Sequence, residues 1–250
     1  MSVFGGQIEL IFLISLARHG TPAAVQTIDS RPSEDSIVLP SIVLIGIISP
    51  FARSRMPIAI FNTKSQMSQC LKEMTKTTLS RHAAPRILFP TGTTPLGPDG
   101  FFQALVDAKH HEQLDTSRIR LVSGDEYHGI ALDDPGSFAT YLRTKVMEPL
   151  GMDTTLAHVL NGQASDVALH CQEFEASLHQ DPCTLAVLGL GTNGHVAFND
   201  PPSSIHSTTR CLPLTQGSIA SSKNDFPGKK EEDLPTRALS VGLDTLTSHC

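Results

Sequence analysis

The chain has no block of lysine or arginine, no C-x-x-C pair and no apolar run of membrane-spanning length, and each absence removes a class of function. With a formal charge of −6 and no basic stretch, it offers a nucleic acid no electrostatic footprint, so a small molecule is the expected partner. Five cysteines, Cys70, Cys171, Cys183, Cys211 and Cys250, are odd in number and lack metal-ligand spacing. That usage fits reduced thiols acting as buried filler in a cytosolic chain rather than a zinc site or disulfide framework, and no metal is expected. The apolar run at residues 8–16 has no Lys or Arg before it to form the positive region of a secretory signal. A second run, residues 37–48, is broken by Pro40 and falls short of the roughly 20 residues of a membrane span. No membrane partner is expected, and the expected location is cytoplasmic.

What the chain does have is concentrated in residues 185–202. Leu185, Ala186, Val187 and Leu188 form an unbroken apolar run, the pattern of a strand buried on both faces of a parallel sheet. The loop that follows would then lie at a carboxyl edge, where such sheets bind ligands. That loop carries Asn193, His195 and Asp200 among three glycines. Gly189, Gly191 and Gly194 satisfy the dinucleotide spacing G-x-G-x-x-G, which also requires a helix opening at the third glycine and an acidic residue about 20 positions on. Pro201 and Pro202 stop any such helix within about two turns, and the region round Leu214 holds no carboxylate. A nicotinamide cofactor is disfavoured, and no cofactor is expected.

Two units are expected along the chain: residues 1–56, an N-terminal extension, and residues 57–250, the domain that carries the motifs. The first unit holds the two apolar runs and, between them, a Pro/Ser/Asp-rich loop at residues 27–36. A buried strand pair, a poorly ordered extension and sequence from a wrongly placed start all fit that pattern. From Pro57 the rhythm is regular. Strands are expected at residues 58–61, 86–89, 118–122 and 185–188. They alternate with helices at 64–79, from Phe101 onward, from Phe138 to near Gly151, and at 167–178. Strands and helices alternating at this spacing predict an α/β protein with a doubly wound, mostly parallel, Rossmann-like sheet.

Two further loops carry groups fit for chemistry. Thr91, Gly92, Thr93 and Thr94 follow the strand at 86–89, and a turn of Gly and Thr at a helix amino end offers N–H groups, hydroxyls and a favourable dipole to an anion such as phosphate. An ordinary capped turn fits the same residues. Asp125 and Glu126 follow the strand at 118–122; two carboxylates at a strand end suit acid–base work, with a surface turn as the other reading.

Four stretches, residues 90–95, 125–127, 189–195 and 198–201, resemble in order the glucosamine-6-phosphate deaminase (isomerase) family, which includes galactosamine-6-phosphate deaminases and the related 6-phosphogluconolactonases. The resemblance runs from about Pro57 to the end of the chain. It implies cofactor-free conversion of an amino-sugar phosphate to fructose 6-phosphate or tagatose 6-phosphate plus ammonia, with homo-oligomerisation left open. By position it makes Asp125 the base that moves a proton between C2 and C1, and His195 the imidazole that assists ring opening, with Asn193 and Asp200 as its catalytic neighbours. Thr91, Gly92, Thr93 and Thr94 become the phosphate loop, and Glu126 and Gly194 join them in binding substrate. The lactonases are the less fitting branch, because they lack the Phe-Asn-acid-Pro run found at residues 198–201.

Several positions depart from the family pattern. Asn193 stands where glucosamine enzymes have Asp; an amide orients an imidazole without stabilising its cation by charge. Asp200 replaces the usual Glu, which sets its carboxylate about one methylene further back. After residues 238–246 the family continues with a strand, a loop bearing a phosphate-binding Lys, a helix and a last strand, so an uncovered sheet edge and an incomplete phosphate site are expected before Cys250. Those departures keep a second function in view, a non-catalytic sugar-phosphate-binding protein on the same scaffold. The resemblance also implies, for bacterial members, an effector site built from a Ser, an Arg and a Lys; here Ser203 and Arg210 are joined by Leu212 in the Lys position, so effector control is expected to be weak or absent.

Overall fold

The computed structural model describes residues 11–16, 43–48 and 58–250 except Thr192. The loop expected at residues 27–36 lies outside the described residues. Within them a six-stranded sheet has the order β3-β2-β1-β7-β4-β5, where β1 is Ile11–Leu16, β2 Val43–Ile48, β3 Ile58–Phe61, β4 Arg86–Leu88, β5 Arg120–Val122 and β7 Leu185–Gly189. The pairs β1–β2, β4–β5 and β4–β7 are parallel, while β1–β7 and β2–β3 are antiparallel. Each of the two early apolar runs thus contributes a strand. The strand that leads into the glycine loop is flanked on both sides, by β4 and β1, and the sheet's edges are β3 and β5.

The doubly wound arrangement follows from period-two alternation along the central strands. Ile87, Phe89, Leu121, Leu185 and Val187 face one core, packed with Met67, Leu71 and Met74 of α1 (Lys64–Arg81), Phe101, Phe102 and Leu105 of α2 (Phe101–His111), and Leu142 and Val146. Their neighbours Leu88, Val122, Ala186 and Leu188 point the other way, onto Cys171, Phe174 and Leu178 of α5 (Val167–Gln180) and Leu246 of α7 (Leu243–Ser248). A strand apolar at every position is what a sheet covered on both faces requires. Helix starts follow capping chemistry: the hydroxyl of Thr63 accepts from Gln66 N at 3.2 Å at the start of α1, and the carboxylate of Asp166 accepts from Leu169 N at 2.9 Å at α5.

The helix expected from Phe138 to near Gly151 is built in three pieces: α3 (Phe138–Leu142), a wider π-helical segment (Arg143–Met147) and α4 (Glu148–Leu150). It ends where expected, because Gly151 takes the left-handed conformation (φ 57°) that closes a helix. A second, three-stranded antiparallel sheet of order β6-β9-β8 has no counterpart in the sequence reading; β6 is Asp125–Tyr127, β8 Arg210–Pro213 and β9 Arg237–Ser240. It roofs a third apolar cluster in which the Tyr127 ring lies 4.9 Å from Phe138, 5.2 Å from Phe198 and 5.1 Å from Phe226, centroid to centroid. The remaining described α-helix, α6, is Gln216–Ser222.

Candidate active site

Three parallel strands, β4, β5 and β7, end on the same edge of the large sheet, and each delivers one of the predicted segments there. Phe89 N donates to Val122 O at 3.3 Å, which holds the start of the Thr91–Thr94 turn beside the end of β5. A Cβ built on Gly124 would lie 3.6 Å from the Leu88 side chain and 4.0 Å from Ala197 Cβ, so the residue before Asp125 touches both β4 and the loop after His195. Strand β9 ties the pieces together. Its Ser240 pairs with Asp125 on one side and Arg210 on the other, and its hydroxyl accepts from Phe198 N at 3.1 Å and from the Asn199 amide at 3.3 Å.

Asp125 and Glu126 point to opposite faces of β6, as successive strand residues do, and have separate tasks. Glu126, 1% exposed, accepts from Tyr127 N at 2.8 Å, Ser137 Oγ at 2.6 Å, Phe138 N at 3.1 Å and Ala139 N at 3.0 Å. Burial pushes its pKa up against those four donors. Expected to bind substrate, Glu126 instead has its oxygens taken by the first turn of α3, whose free N–H groups need an acceptor. Asp125, 8% exposed, has its pKa raised to about 8, first by burial and then by the charges of Glu126 and Asp225.

His195 sits on Gly191, where a Cβ would meet the ring at 2.1 Å, so only glycine leaves room for the imidazole. Its Nδ1 is 2.6 Å from Asn193 Oδ1 and 3.1 Å from Asp200 Oδ1. The Asn193 amide is oriented by its other end, since Nδ2 donates to Asp200 Oδ1 at 2.7 Å. Two acceptors facing Nδ1 place a proton there and leave Nε2 as the ring nitrogen able to accept one, an assignment drawn from the network. Asp200, despite the shorter side chain, reaches the imidazole. Burial raises its pKa, but donors from Ser218, Asn193 and Thr215 and the charge of His195 outweigh that, and the net shift is downward. Gly194 adopts φ +85°, the conformation that swings the chain into His195.

The hydroxyl turn differs from expectation in one respect. Helix α2 begins only at Phe101, after turns closed by Leu96 N to Thr93 O at 3.2 Å and Gly100 N to Gly97 O at 2.9 Å. The helix dipole decays within its first turn, so Thr91–Thr94 lose that contribution and keep only local N–H groups and hydroxyls for an anion. The dinucleotide alternative has no helix at Gly194 either; Leu190 and Val196 instead form an isolated antiparallel bridge across the glycines. Tyr141, absent from the sequence reading, donates its hydroxyl to Gly92 O and fastens the turn to α3. Asp225 was also missed: it accepts from Tyr127 Oη at 2.7 Å, and burial raises its pKa. Nothing in the local sequence round Asp225 marks it, because its proximity to Asp125 arises only when residues 222–228 fold over the small sheet. Among the described residues no group of three or more His, Cys, Asp or Glu is arranged to hold a metal ion.

Fold and edge together are those of a doubly wound α/β protein with its polar groups gathered at the carboxyl ends of parallel strands. Residues 62–220 match the family model described as glucosamine-6-phosphate isomerases/6-phosphogluconolactonase, and the chain belongs to that family. A glucosamine-6-phosphate deaminase of Clostridium botulinum (strain Loch Maree) is 31% identical over 157 residues, 62% of this chain and 62% of that protein. Another from Clostridium botulinum (strain Hall) is 30% identical over 70% of this chain and 73% of its own length, and one from Bacillus cereus (strain B4264) is 29% identical over 76% and 69%. The chain thus spans somewhat under two thirds of the first of these relatives and somewhat over two thirds of the others. Among solved structures, a monomeric glucosamine-6-phosphate deaminase superposes with a TM-score of 0.65 at 26% identity, covering 74% of this chain and 75% of that one. The 6-phosphogluconolactonase of Thermotoga maritima shares the fold, with a TM-score of 0.52 at 13% identity.

Proposed function

We propose that the protein is an amino-sugar phosphate deaminase and isomerase that converts glucosamine 6-phosphate, or the galactosamine epimer, to the corresponding ketose 6-phosphate and ammonia. The observation that carries this reading is the pairing of a buried carboxyl tuned to about 8 with an imidazole backed by an ionised carboxylate on the adjoining loop. The deaminases among its relatives support the choice of substrate.

In this reading His195 passes a proton through Nε2 to the sugar ring oxygen and assists ring opening, and Asp200 supplies the negative charge that the resulting imidazolium needs. Asp125 removes the proton from C2 of the open-chain sugar and returns it to C1, which leaves an imine at C2. Water adds there, the C–N bond breaks and ammonia departs as the ketone forms. A pKa near the working pH lets one carboxyl both take and give this proton. Thr91, Thr93 and Thr94 hold the phosphate at the far end of the substrate. The unit responsible is residues 57–250, and five unpaired cysteines support a reducing, cytoplasmic setting. Among the described residues no helix is long and apolar enough to cross a membrane.

Ammonia release from each amino-sugar phosphate, measured beside a thermal-shift titration with the same compounds, tests the reading. Turnover of one of them is expected. Stabilisation without ammonia would instead identify a sugar-phosphate-binding protein.

A further inference from the structure

The catalytic carboxylate Asp200 is gripped from a helix that none of the motifs includes. Thr215, the N-cap of α6, donates through Oγ1 to Asp200 Oδ2 at 2.9 Å, and Ser218, in the first turn of the same helix, donates through Oγ to the same oxygen at 2.5 Å. The Thr215 hydroxyl is itself fixed, accepting from Ser218 N at 3.2 Å as the cap of the helix. Both Ser218 and Asp200 are buried. The other carboxylate oxygen, Oδ1, takes the Asn193 amide at 2.7 Å and faces His195 Nδ1 at 3.1 Å.

The division of labour between the two oxygens is the informative feature. A carboxylate rotates freely about its last bond unless both ends are held, and an acceptor-only oxygen that receives two hydroxyl donors is both immobilised and favoured in its ionised form. Asn193 is uncharged, so the negative charge facing the imidazolium comes from Asp200. Whatever sets the rotation and ionisation of Asp200 therefore sets the strength of His195 as a proton carrier. Among the described residues His195 is the titratable group that faces Asp200; α6 presents to it only the two uncharged hydroxyls, and Asn193 an amide.

We propose that Thr215 and Ser218 are positioning residues for His195, acting through Asp200 by holding its carboxylate ionised with Oδ1 turned to the imidazole. This rests on the proposed deaminase reading for its catalytic consequence, but not for its physical content. The first turn of α6 becomes a working part of the site through its bonds to Asp200.

The test uses Ser218→Ala, which removes one donor without disturbing the helix cap, with Ser218→Thr as the conservative control and Thr215→Val against Thr215→Ser as a second pair. Carbon-13 NMR of the Asp200 carboxyl in the free protein reads its titration directly. In Ser218→Ala that titration should move to higher pH, and Ser218→Thr should restore it. In ammonia-release kinetics the same variant should lower kcat about tenfold with KM changed less than about twofold, and should move the acid limb of the kcat profile upward. In an Asp200→Asn background Ser218→Ala should cost nothing more, because its route of action is gone. An Asp200 titration unmoved by Ser218→Ala overturns the proposal, as does an equal loss of kcat with and without Asp200. A wild-type protein that releases no ammonia would defeat the proposed function alone, since the carboxyl titration decides the positioning role without turnover.

Discussion

Asp125 and Asp200 expose almost the same small fraction of their surface, 8% and 6%, yet they are driven in opposite directions. Asp125 is buried with two further carboxyls, Glu126 and Asp225, nearby and is raised to about 8. Asp200 is surrounded by hydroxyl, amide and imidazole and is lowered. Burial is the largest cause for Asp125, whose carboxyl lies deeper than that of Asp200. Depth and the supply of donors together separate them, and in the proposed mechanism one carboxyl carries a proton near neutral pH while the other stays charged to support the imidazole. Pairs of titratable groups pushed apart in this way are how a single site performs both halves of a proton transfer.

Exchanging the properties of the two carboxyls gives the largest expected effects. Asp125→Asn should lower ammonia release by about 10³-fold or more, within the range lost when a general base is removed, while inorganic phosphate still competes for the site with unchanged affinity. Asp200→Asn should cost less, about 10²-fold in kcat, because Asn193 still orients the imidazole and only the charge is lost; steady-state kinetics of the two variants ranks them, and the reverse order would contradict the assignment of roles.

Stability should separate the pair as well. Between its ordinary 3.8 and about 8, Asp125 keeps a proton in the folded protein that the unfolded chain has given up. The folded state then binds more protons than the unfolded one, so this group makes stability fall as pH rises across that window. Asp125→Asn should flatten that decline and raise Tm above wild type at pH 8, while Asp200→Asn should lower Tm at the same pH. Thermal melts from pH 5 to pH 9 measure both slopes.

Smaller effects belong to the phosphate end. The double change Thr93→Ala and Thr94→Ala should raise KM about tenfold while kcat falls less, since hydroxyl donors to phosphate bind ground and transition states alike. The smallest response is expected from N-acetylglucosamine 6-phosphate as an effector. Ser203 Oγ already accepts from Arg210 at 3.2 Å, and Leu212 adds no charge, so substrate-saturation curves with and without the compound should agree within about twofold.

The same contrast explains what could be read before the structure. β7 was legible because a strand covered on both faces is apolar at nearly every step, β4 by the apolar run that follows Arg86, and α1 and α5 because their caps and apolar spacing are local. Strands β6, β8 and β9 are three or four residues long, and β6 finds its partner only at the far end of the domain, Asp125 opposite Ser240, so no local pattern announces the small sheet. His195, Asn193, Asp125 and Asp200 stood out by residue type and motif. Glu126 drew the same attention and was given the substrate, whereas strand alternation turns it toward the backbone of α3. Asp225, Tyr141, Thr215 and Ser218 were invisible for the converse reason: each is an ordinary residue in its own segment and meets its partner only through tertiary folding, Tyr141 from α3 to Gly92, Thr215 and Ser218 from the start of α6 to Asp200, and Asp225 to Tyr127. That the shorter Asp200 still reaches the imidazole could not be read, because the hydroxyls of α6 and the bridging Asn193 amide that aim it are tertiary.

The most direct test of the account follows the proton itself. In D₂O, wild-type protein acting on glucosamine 6-phosphate should give ketose phosphate carrying deuterium at C1, read by NMR, because the Asp125 carboxyl exchanges with solvent between removing the C2 proton and delivering one to C1. Asp125→Asn, folded and still binding phosphate, should show neither deuterium incorporation nor ammonia. Turnover at the wild-type rate by that variant, with deuterium still entering C1, would place the base elsewhere and contradict the account.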